Sequence, residues 1–378
     1  MPLDLDLSDI PIVDHHAHPL RRIPPAAPDE WLGFFTESSD PDLVLQHVPN
    51  TLFFQYAVQA LADLLGVEAS AAAILKGRDL LGQQGWAHLL IESAKIKTML
   101  MDYGFRGKES YCHEEMKTLL PCRIEPILRL ETLAQELILN QESIDQFIDA
   151  FVAQVENART DGYVALKSII AYRTGLDIRE WPRDEVESAF IQVKDQARRD
   201  GKIRLASPPI NDLLVLRALE IADRQEMPVQ FHTGYGDSDV DLRLANPLNF
   251  RPWLQSGKFT RLPWVLLHMG YPYLRESAYL SSIYANIFVD LSLAIPFAVG
   301  EAQSMLVQLL GLAPTSKLLY ASDGFSVPEL FWLGAKVCRT ALGRVLDQLV
   351  DDHILTAERA YASAEKILFR NSDALYNL

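Results

Sequence analysis

The chain has 378 residues, with 35 lysines and arginines against 50 aspartates and glutamates, so its formal net charge at pH 7 is −15. This acidic balance disfavours nucleic acid and anionic membranes as partners. No apolar run reaches the length of a membrane span, and the acidic start, Met1 to Asp9, does not resemble a signal peptide. The three cysteines, Cys112, Cys122 and Cys338, have no Cys-x-x-Cys spacing. We therefore expect a cytoplasmic protein without a disulfide framework or a thiolate zinc site.

The first strand is predicted at Ile10 to His16, an apolar run that ends in polar residues. From about Asp40 to Ile91, apolar residues recur three and four apart, which is typical of helices. Helix starts are predicted at Asp40–Pro41 and Glu68–Ala69. Because a single crossover helix would be shorter, we interpret residues 28–92 as a helical insertion. It would either cap the mouth of the fold or pack on its flank.

Alternating strand and helix patterns fill the rest of the chain. Further strands are predicted at Ile96–Met101, Arg123–Leu130, Tyr163–Ile170, Pro228–His232, Trp264–His268, Asn286–Leu291 and Lys317–Ser322. Amphipathic helices are predicted at Ser143–Thr160, Glu185–Arg199, Ile210–Gln225, Tyr273–Ala285, Val299–Leu310, Pro328–Leu349 and Thr356–Leu378. Such alternation implies a parallel sheet of the α/β class, and eight units close into a (β/α)8 TIM barrel. We expect residues 1–378 to form a single barrel domain.

Two histidines lie at the end of the first predicted strand. Because strand side chains repeat every two residues, Asp14, His16 and His18 should point one way and His15 the other, towards the helical layer. Neutral imidazole is a good ligand for Zn²⁺, Mn²⁺ or Fe²⁺. His-x-His spacing alone is a weak signal, because two polar residues between a strand and a loop would look the same.

Later strands deliver more side chains of the kind that bind metals. His232 ends one apolar strand and His268 ends the next, and a glycine follows each of them two residues later. Asp323 closes the eighth strand, where it is either a cap or turn residue, or a metal ligand that accepts a proton from water. Since parallel barrel strands all end at one face, these residues can meet there.

Lys167 lies within an apolar strand, where a charged side chain is costly to bury unless it is paired or neutralised. Three interpretations remain open. Lys167 is carboxylated by CO₂ and bridges two metals, or it stays an ammonium and binds a substrate carboxylate. In the third, its stem extends past the strand end towards solvent.

These residues, in this order, resemble the amidohydrolase superfamily, and more closely its amidohydrolase-2 branch. Within the branch, the chain is similar to the amidohydrolase portion of FluG/nodulin-type proteins, in which that portion is fused to a glutamine-synthetase-like domain. The segments that carry the resemblance are Leu166–Leu176, Gln230–Asp237, Leu267–Glu276, Leu319–Gly324 and Ile367–Tyr376. Because the chain stops where the synthetase-like domain would begin, we expect no coupled ligase chemistry.

The resemblance implies a distorted TIM barrel with metal at the carboxyl ends of its strands. The core ligand positions are matched by His16, His18, His232 and Asp323. Lys167 matches the carboxylated lysine of members with two metals. His268 matches a histidine that binds the second metal in those members or assists the substrate in members with one. One or two divalent metals per chain are therefore implied, with Zn²⁺ as first candidate and Mn²⁺ or Fe²⁺ as alternatives.

Hydrolysis of an amide or another C–N bond is the reaction expected first. A bound metal would activate water and polarise a carbonyl, with Asp323 as general base and His268 as the second catalytic residue. Non-oxidative decarboxylation, which the same branch performs, is the alternative, since it needs no leaving amine. A third class, a metal-binding barrel that regulates without turnover, is disfavoured by the complete ligand set.

Substrate contacts are predicted from the neighbours of these positions. Arg129 ends the third strand and Arg173 follows Lys167, and arginine can bind a carboxylate through two parallel hydrogen bonds. Arg129 would otherwise form a structural ion pair with Glu125 or Glu131.

Tyr271 and Arg275 follow His268 and are predicted to line the mouth, whereas Tyr273 would line it or start a helix. The expected partner is a small, carboxylate-bearing substrate, and the synthetase-linked relatives suggest a γ-glutamyl amide. A homodimer is one arrangement that the resemblance allows.

Overall fold

The computed structural model describes residues 5–105, 109–201 and 203–378. Within these residues, eight parallel strands follow one another around one sheet in chain order. They are β1 Ile12–Ala17, β2 Ile96–Asp102, β3 Arg123–Arg129, β4 Ala165–Ser168, β5 Val229–Phe231, β6 Trp264–Leu266, β7 Ile287–Leu291 and β8 Leu318–Tyr320. The predicted TIM barrel is confirmed, and every predicted strand is present. Several strands are shorter than predicted, since the backbone leaves the sheet just before the residues it delivers to the barrel mouth.

Helices surround this sheet and connect its strands. They are α1 Pro28–Leu32, α2 Pro41–Gln46, α3 Leu52–Leu65, α4 Ala71–Ser93, α5 His113–Leu119, α6 Leu130–Ile138, α7 Ile144–Asn157, α8 Arg183–Asp200, α9 Pro208–Gln225, α10 Arg251–Gln255, α11 Leu274–Ile283, α12 Ala294–Phe297, α13 Ala302–Leu310, α14 Pro328–Asp351, α15 Ala357–Glu365 and α16 Asn371–Tyr376. The helix predicted at Thr356–Leu378 is interrupted, because residues 366–370 form a wider π-helical turn. In the described part of the chain, no helix combines the length and apolar character that crossing a bilayer requires.

The first and last strands are joined by bonds at their carboxyl ends. The backbone amide of Asp323 donates to the carbonyl of His16 over 3.0 Å, and the amide of His18 donates to the carbonyl of Gly324 over 2.8 Å. The Asp14 carboxylate accepts from both the amide and the hydroxyl of Ser322. These bonds close the barrel, and they bring the end of β1 beside the residue that follows β8.

A register shift in β1 changes which way its side chains point. Asp14 is opposite Met99, but Ala17 is opposite Met101, so β1 contains one residue more than β2 over this stretch. The prediction that His15 faces the helical layer is wrong, because His15 contacts Gln230 on β5 and Asp290 on β7 across the barrel interior. His16 also contacts Gln230, so the two consecutive histidines share one side of the strand.

The opposite end of the barrel is filled by apolar side chains and by the C-terminal helix. Val13, Leu100, Ile127 and Ala165 from β1 to β4 pack in one cluster with Tyr376 of α16. The barrel is therefore a packed core beneath its mouth, as in other TIM barrels. Tyr376 also reaches upward to Gln230, whose amide nitrogen donates to its hydroxyl over 3.0 Å.

The predicted helical insertion forms α1 to α4 between β1 and β2. The Asp40 carboxylate caps α2 as predicted, whereas α4 is capped by Ser70, slightly later than expected. α4 packs against α14 on the barrel flank. The earlier part of the insertion reaches the mouth, where Phe34 contacts Phe325 after β8 and Phe53 contacts Phe297 after β7. Both interpretations of the insertion therefore apply, each to a different part.

Replacing Phe53 with alanine should lower the free energy of unfolding by about 3–5 kcal/mol, because a large buried ring is removed from the contact between insertion and barrel. The ring is 1% exposed and also contacts Phe35. Urea denaturation would measure the change. Leu80→Ala, at an 82% exposed position of the same insertion, is the control and should change stability by no more than about 0.5 kcal/mol. Equal losses in both variants would contradict the packing role of Phe53.

Candidate metal centre

The carboxyl ends of the strands surround a cavity of about 260 Å³. The structure brings all six side chains of the predicted ligand set to its wall, namely His16, His18, Lys167, His232, His268 and Asp323. Their contacts with one another decide which of them can hold a metal.

Asp323 lies between His16, near the end of β1, and His18, which follows the strand. Its Oδ1 is 3.2 Å from His16 Nε2 and 3.3 Å from His18 Nε2. Two ligands of a tetrahedral Zn²⁺ ion, each about 2.0–2.1 Å from the metal, are about 3.3 Å apart. Asp323 Oδ1 and His232 Nε2 are buried, and within the described residues neither has a hydrogen-bond partner. Because buried polar atoms are rarely left unsatisfied, these donors fit a divalent cation.

Gln230 fixes the orientation of His16. Its amide nitrogen donates to the carbonyl of His15 over 2.8 Å, so its oxygen is free to accept from His16 Nδ1, also over 2.8 Å. This network assigns the proton of His16 to Nδ1 and leaves the lone pair of Nε2 directed towards Asp323. A metal-binding histidine is commonly held in this way through its second nitrogen.

His18 and Arg129 are both held by Asp102 at the end of β2. His18 Nδ1 lies 3.0 Å from the backbone carbonyl of Asp102, which leaves His18 Nε2 for a ligand. The Asp102 carboxylate accepts from Arg129 Nε over 2.9 Å and from Nη2 over 2.6 Å. Although burial raises the pKa of Asp102, the Arg129 guanidinium lowers it to below its usual range. Asp102 lies within 4.8 Å of the two histidine donors, but Arg129 occupies its oxygens, so we assign the third ligand to Asp323.

Both ring nitrogens of His268 have partners. Nδ1 lies 2.8 Å from Ser292 Oγ, which itself donates to Asp290, and Nε2 lies 2.9 Å from His232 Nδ1. The network assigns the His232 proton to Nδ1, so His232 Nε2 keeps its lone pair. This geometry supports His232 as a ligand and places His268 behind it, so the predicted role of His268 as a metal ligand finds no support here.

Lys167 is almost fully buried on β4, with its Nζ 3.4 Å from His16 Nε2. Burial lowers the pKa of this ammonium group to about 8. A stem that only extends towards solvent does not fit a side chain that is 1% exposed. Carboxylation and direct binding of a substrate carboxylate both remain compatible with the position of the amine.

Burial sets the charge state of the candidate ligands. It lowers the pKa of His16 to about 3, with Lys167 adding to the shift, and it lowers the pKa of His232 well below its usual value. Burial alone would raise the pKa of Asp323, but His268, His16 and His18 lower it far below its ordinary value. His16 and His232 are therefore neutral and Asp323 is ionised near pH 7, which are the forms that bind metals.

The backbone is strained at two of these residues. His268 has φ 64° and Asp323 has φ 53°, in the left-handed region that side chains other than glycine rarely adopt. His268 lies two residues after the end of β6 and Asp323 three residues after the end of β8, and both side chains line the cavity. Strain of this kind concentrates at functional sites.

The predicted substrate contacts divide into two groups. Arg129 and Arg173 line the cavity, and Arg129 pairs with Asp102 rather than with Glu125 or Glu131. The buried Nε of Arg173 has no hydrogen-bond partner in the described residues, so it is available to a ligand.

The predicted substrate contacts Tyr271 and Arg275 do not line the cavity. Tyr271 is absent from the lining of this cavity and packs edge-on against Tyr235. The prediction that Arg275 lines the mouth is wrong, because it lies in a separate surface depression with Arg251 and Tyr279. Tyr273 precedes α11 as its cap residue, and its hydroxyl donates to the carbonyl of Leu242.

Residues that the sequence did not single out also line the cavity. The Tyr172 ring lies tilted against His232, with their ring centroids 4.2 Å apart. Gly236 permits this approach, since a methyl group there would lie 2.1 Å from the Tyr172 hydroxyl and 3.0 Å from His232 Nε2. Glu37, from the insertion, and Asp237 complete one wall. Tyr172 and Asp237 lie in the segments that carry the family resemblance, whereas no sequence pattern marked Glu37.

The sequence of the chain is similar to a known protein family. A family model described as Amidohydrolase matches residues 180–378. Protein fluG of Emericella nidulans is 30% identical over 400 residues, which cover 97% of this chain and 46% of that protein. The chain therefore spans about half the length of this curated relative.

Solved structures are similar over nearly the whole chain. A Lactobacillus casei protein, provisionally described as a metal-dependent hydrolase, is 30% identical with a TM-score of 0.89, covering 100% of this chain and 97% of that one. A uronate isomerase of Thermotoga maritima is 13% identical with a TM-score of 0.68, covering 98% and 95%. At that identity the likeness shows the fold alone.

Replacing Gln230 with leucine should weaken metal binding by about 10–100-fold, because His16 loses the acceptor that holds its proton on Nδ1. Competition with a chelator of known affinity would measure the metal dissociation constant. Tyr376→Phe is the matched control, since it removes another contact of Gln230 but keeps the bond to His16. The same loss of affinity in both variants would show that general disruption, rather than the orientation of His16, is responsible.

Proposed function

The chain belongs to the amidohydrolase family, whose members depend on metals, and on this premise we propose that it hydrolyses an amide or another C–N bond of a small, carboxylate-bearing substrate. The observation that carries the proposal is the approach of Asp323 to His16 and His18 in a cavity that His232 also lines. Among the described residues, the buried Nε2 of His232 has no hydrogen-bond partner. The structural similarity to the Lactobacillus casei protein described as a metal-dependent hydrolase supports it.

His16, His18, His232 and Asp323 would hold the metal, with Zn²⁺ as first candidate because it prefers nitrogen and oxygen ligands in a set of this size. When bound, the metal supplies an activated water molecule and polarises the scissile carbonyl. Because His16 and His232 are neutral and Asp323 is ionised near pH 7, these three residues can bind a metal without first losing protons.

Asp323 would act as the general base. Its carboxylate is ionised, and its second oxygen, Oδ2, lies 3.7 Å from His268 Nδ1, too far for a strong hydrogen bond. Oδ2 can therefore accept a proton from water and pass it to the departing nitrogen, which would otherwise leave as an unstable anion. His268 acts through His232 and Ser292, so we assign it a positioning role.

Lys167 would be carboxylated. The lowering of its pKa to about 8 raises the neutral fraction of the amine near neutral pH, and a neutral amine can attack CO₂. The neutral nitrogen would form a bond to the carbon of CO₂ as one C=O π bond opens, and the nitrogen would release a proton to solvent. The product is a carbamate anion close to the histidines. This change would remove the repulsion between Lys167 and a bound metal and would supply oxygen ligands for a second one.

Arg173 would bind the carboxylate of the substrate. It follows β4, lines the cavity and keeps a buried Nε without a partner in the described chain. Arg129 already shares its charge with Asp102, so its contribution to binding would be smaller. γ-Glutamyl amides are the first class to assay, as the resemblance to synthetase-linked proteins implies.

Metal content per chain tests the premise of this mechanism. Protein purified without chelator and supplied with bicarbonate should contain about two metals per chain, falling to about one or fewer in Lys167→Ala. Inductively coupled plasma mass spectrometry would measure it. One metal that is unchanged in Lys167→Ala would make Lys167 a substrate or structural residue and would favour decarboxylation. Protein that binds no metal would contradict the mechanism.

Replacing Asp323 with asparagine should reduce amide hydrolysis per bound metal by about 10²–10⁴-fold, because the general base is removed. Release of amine from a panel of small amides would be followed, with metal content measured on the same samples. Asp195→Asn, an exposed position on α8, is the control and should keep full activity. Release of CO₂ from carboxylic acids, without amine release from amides, would favour the decarboxylase alternative.

A further inference from the structure

Charged side chains of both signs surround the entrance to the metal centre. Apart from the predicted ligand set, the cavity is lined by Glu37, Arg129, Arg173, Arg204, Asp237 and Asp239. Which of these charges are already neutralised by the protein determines what a substrate must bring.

Most of these groups have partners within the protein. Arg129 pairs with Asp102, and Arg204 Nη1 lies 2.8 Å from the Asp239 carboxylate. The Asp237 carboxylate accepts from the backbone amide of Asp239 over 2.8 Å.

Two charged groups remain without such a partner. In the described residues, neither the Arg173 guanidinium nor the Glu37 carboxylate takes part in a side-chain ion pair or hydrogen bond. One is a basic group and the other an acidic group, and both line the same cavity. A ligand that satisfies both would carry one group of each sign.

Glu37 is held in an unfavourable environment. Burial raises its pKa to about 8, and the nearby carboxylates of Asp323 and Asp237 add to the shift. A metal on Asp323 would reduce only the repulsion from that carboxylate, because the burial of Glu37 and the charge of Asp237 would remain. A cationic group beside Glu37 would offset the cost of keeping it ionised.

The position of Glu37 is fixed by packing. It follows the short helical turn Gly33–Phe35, whose Phe34 contacts Phe325 beside Asp323 and whose Phe35 is 2% exposed among the rings of the insertion. Glu37 is therefore delivered by the insertion, whereas Arg173 is delivered by the barrel.

We propose that Glu37 binds an ammonium group of the substrate while Arg173 binds its carboxylate, so that the substrate is an amide of an amino acid rather than of a simple carboxylic acid. This inference rests on the proposed function, since the amide would lie at the metal centre. It assigns to the insertion the selection of the substrate and leaves the cleavage to residues of the barrel.

Binding of acids that cannot be hydrolysed tests the assignment. Three pairs differ only by the ammonium group, namely L-aspartate and succinate, L-glutamate and glutarate, and L-2-aminoadipate and adipate. Isothermal titration calorimetry of the metal-loaded protein should show at least one amino acid binding about tenfold or more tightly than its partner, as expected for one additional buried charge pair.

Variants of the two residues should then separate their roles. Glu37→Gln should bring the affinities of that pair to within about twofold, by weakening the amino acid alone. Arg173→Gln should weaken both members together. Glu68→Gln, at an exposed position of the same insertion, should match the unchanged protein. Metal content and thermal unfolding would confirm that each variant is folded.

Several results would overturn the inference. These are equal affinities within every pair for the unchanged protein, undiminished discrimination in Glu37→Gln, or binding of none of the six acids. The proposed function fails in a different way.

Preferential binding of the amino acids without cleavage of any C–N bond would contradict the hydrolase function but support the role of Glu37. Hydrolysis of amides that lack an ammonium group, with no preference within the pairs, would support the hydrolase function and contradict the role of Glu37.

Discussion

The closure of the barrel between its first and last strands is the constraint on which the site depends. The bonds from Asp323 to His16 and from His18 to Gly324 join residues from opposite ends of the chain, and Asp14 locks the junction through Ser322. The same bonds set the separations of about 3.2–3.3 Å between the Asp323 oxygen and the two imidazoles. Barrel closure and metal-site geometry are thus one structural feature, so a change that loosened the junction would disturb both.

Holding this site together is costly, and the surrounding network offsets that cost. Buried imidazoles, an ionised carboxylate and left-handed backbone at His268 and Asp323 each destabilise the folded chain. Gln230, Ser292 and Asp102 each satisfy the second nitrogen of one histidine, and they determine which nitrogen keeps its lone pair. A bound metal would satisfy the atoms that remain, so the protein should be most stable when it is loaded.

The sequence predicted the architecture well because the signals were repeated and local. Each strand showed an apolar run, and the polar residue at its end marked the mouth, so His232 and Asp323 could be placed without knowledge of any contact. The alternation of side chains predicted the wrong direction for His15 in β1, because one extra residue in the strand turns this side chain into the barrel. The local sequence pattern does not indicate such a register shift. The position of Arg275 was also missed, since its distance from His268 along the chain did not indicate the direction of the turn between them.

The position of Glu37 in the cavity could not be predicted from the patterns of single strands. Its role depends on the packing of an insertion against loops after β7 and β8, which are long-range contacts that no short motif encodes. In such an arrangement, metal binding and substrate selection depend on different parts of the chain. Metal ligands need the rigid ends of strands, because small displacements abolish binding, whereas substrate selection can reside in a segment that is free to differ in length and composition. A barrel that keeps its ligands and exchanges its insertion can therefore acquire a new substrate without rebuilding its metal centre.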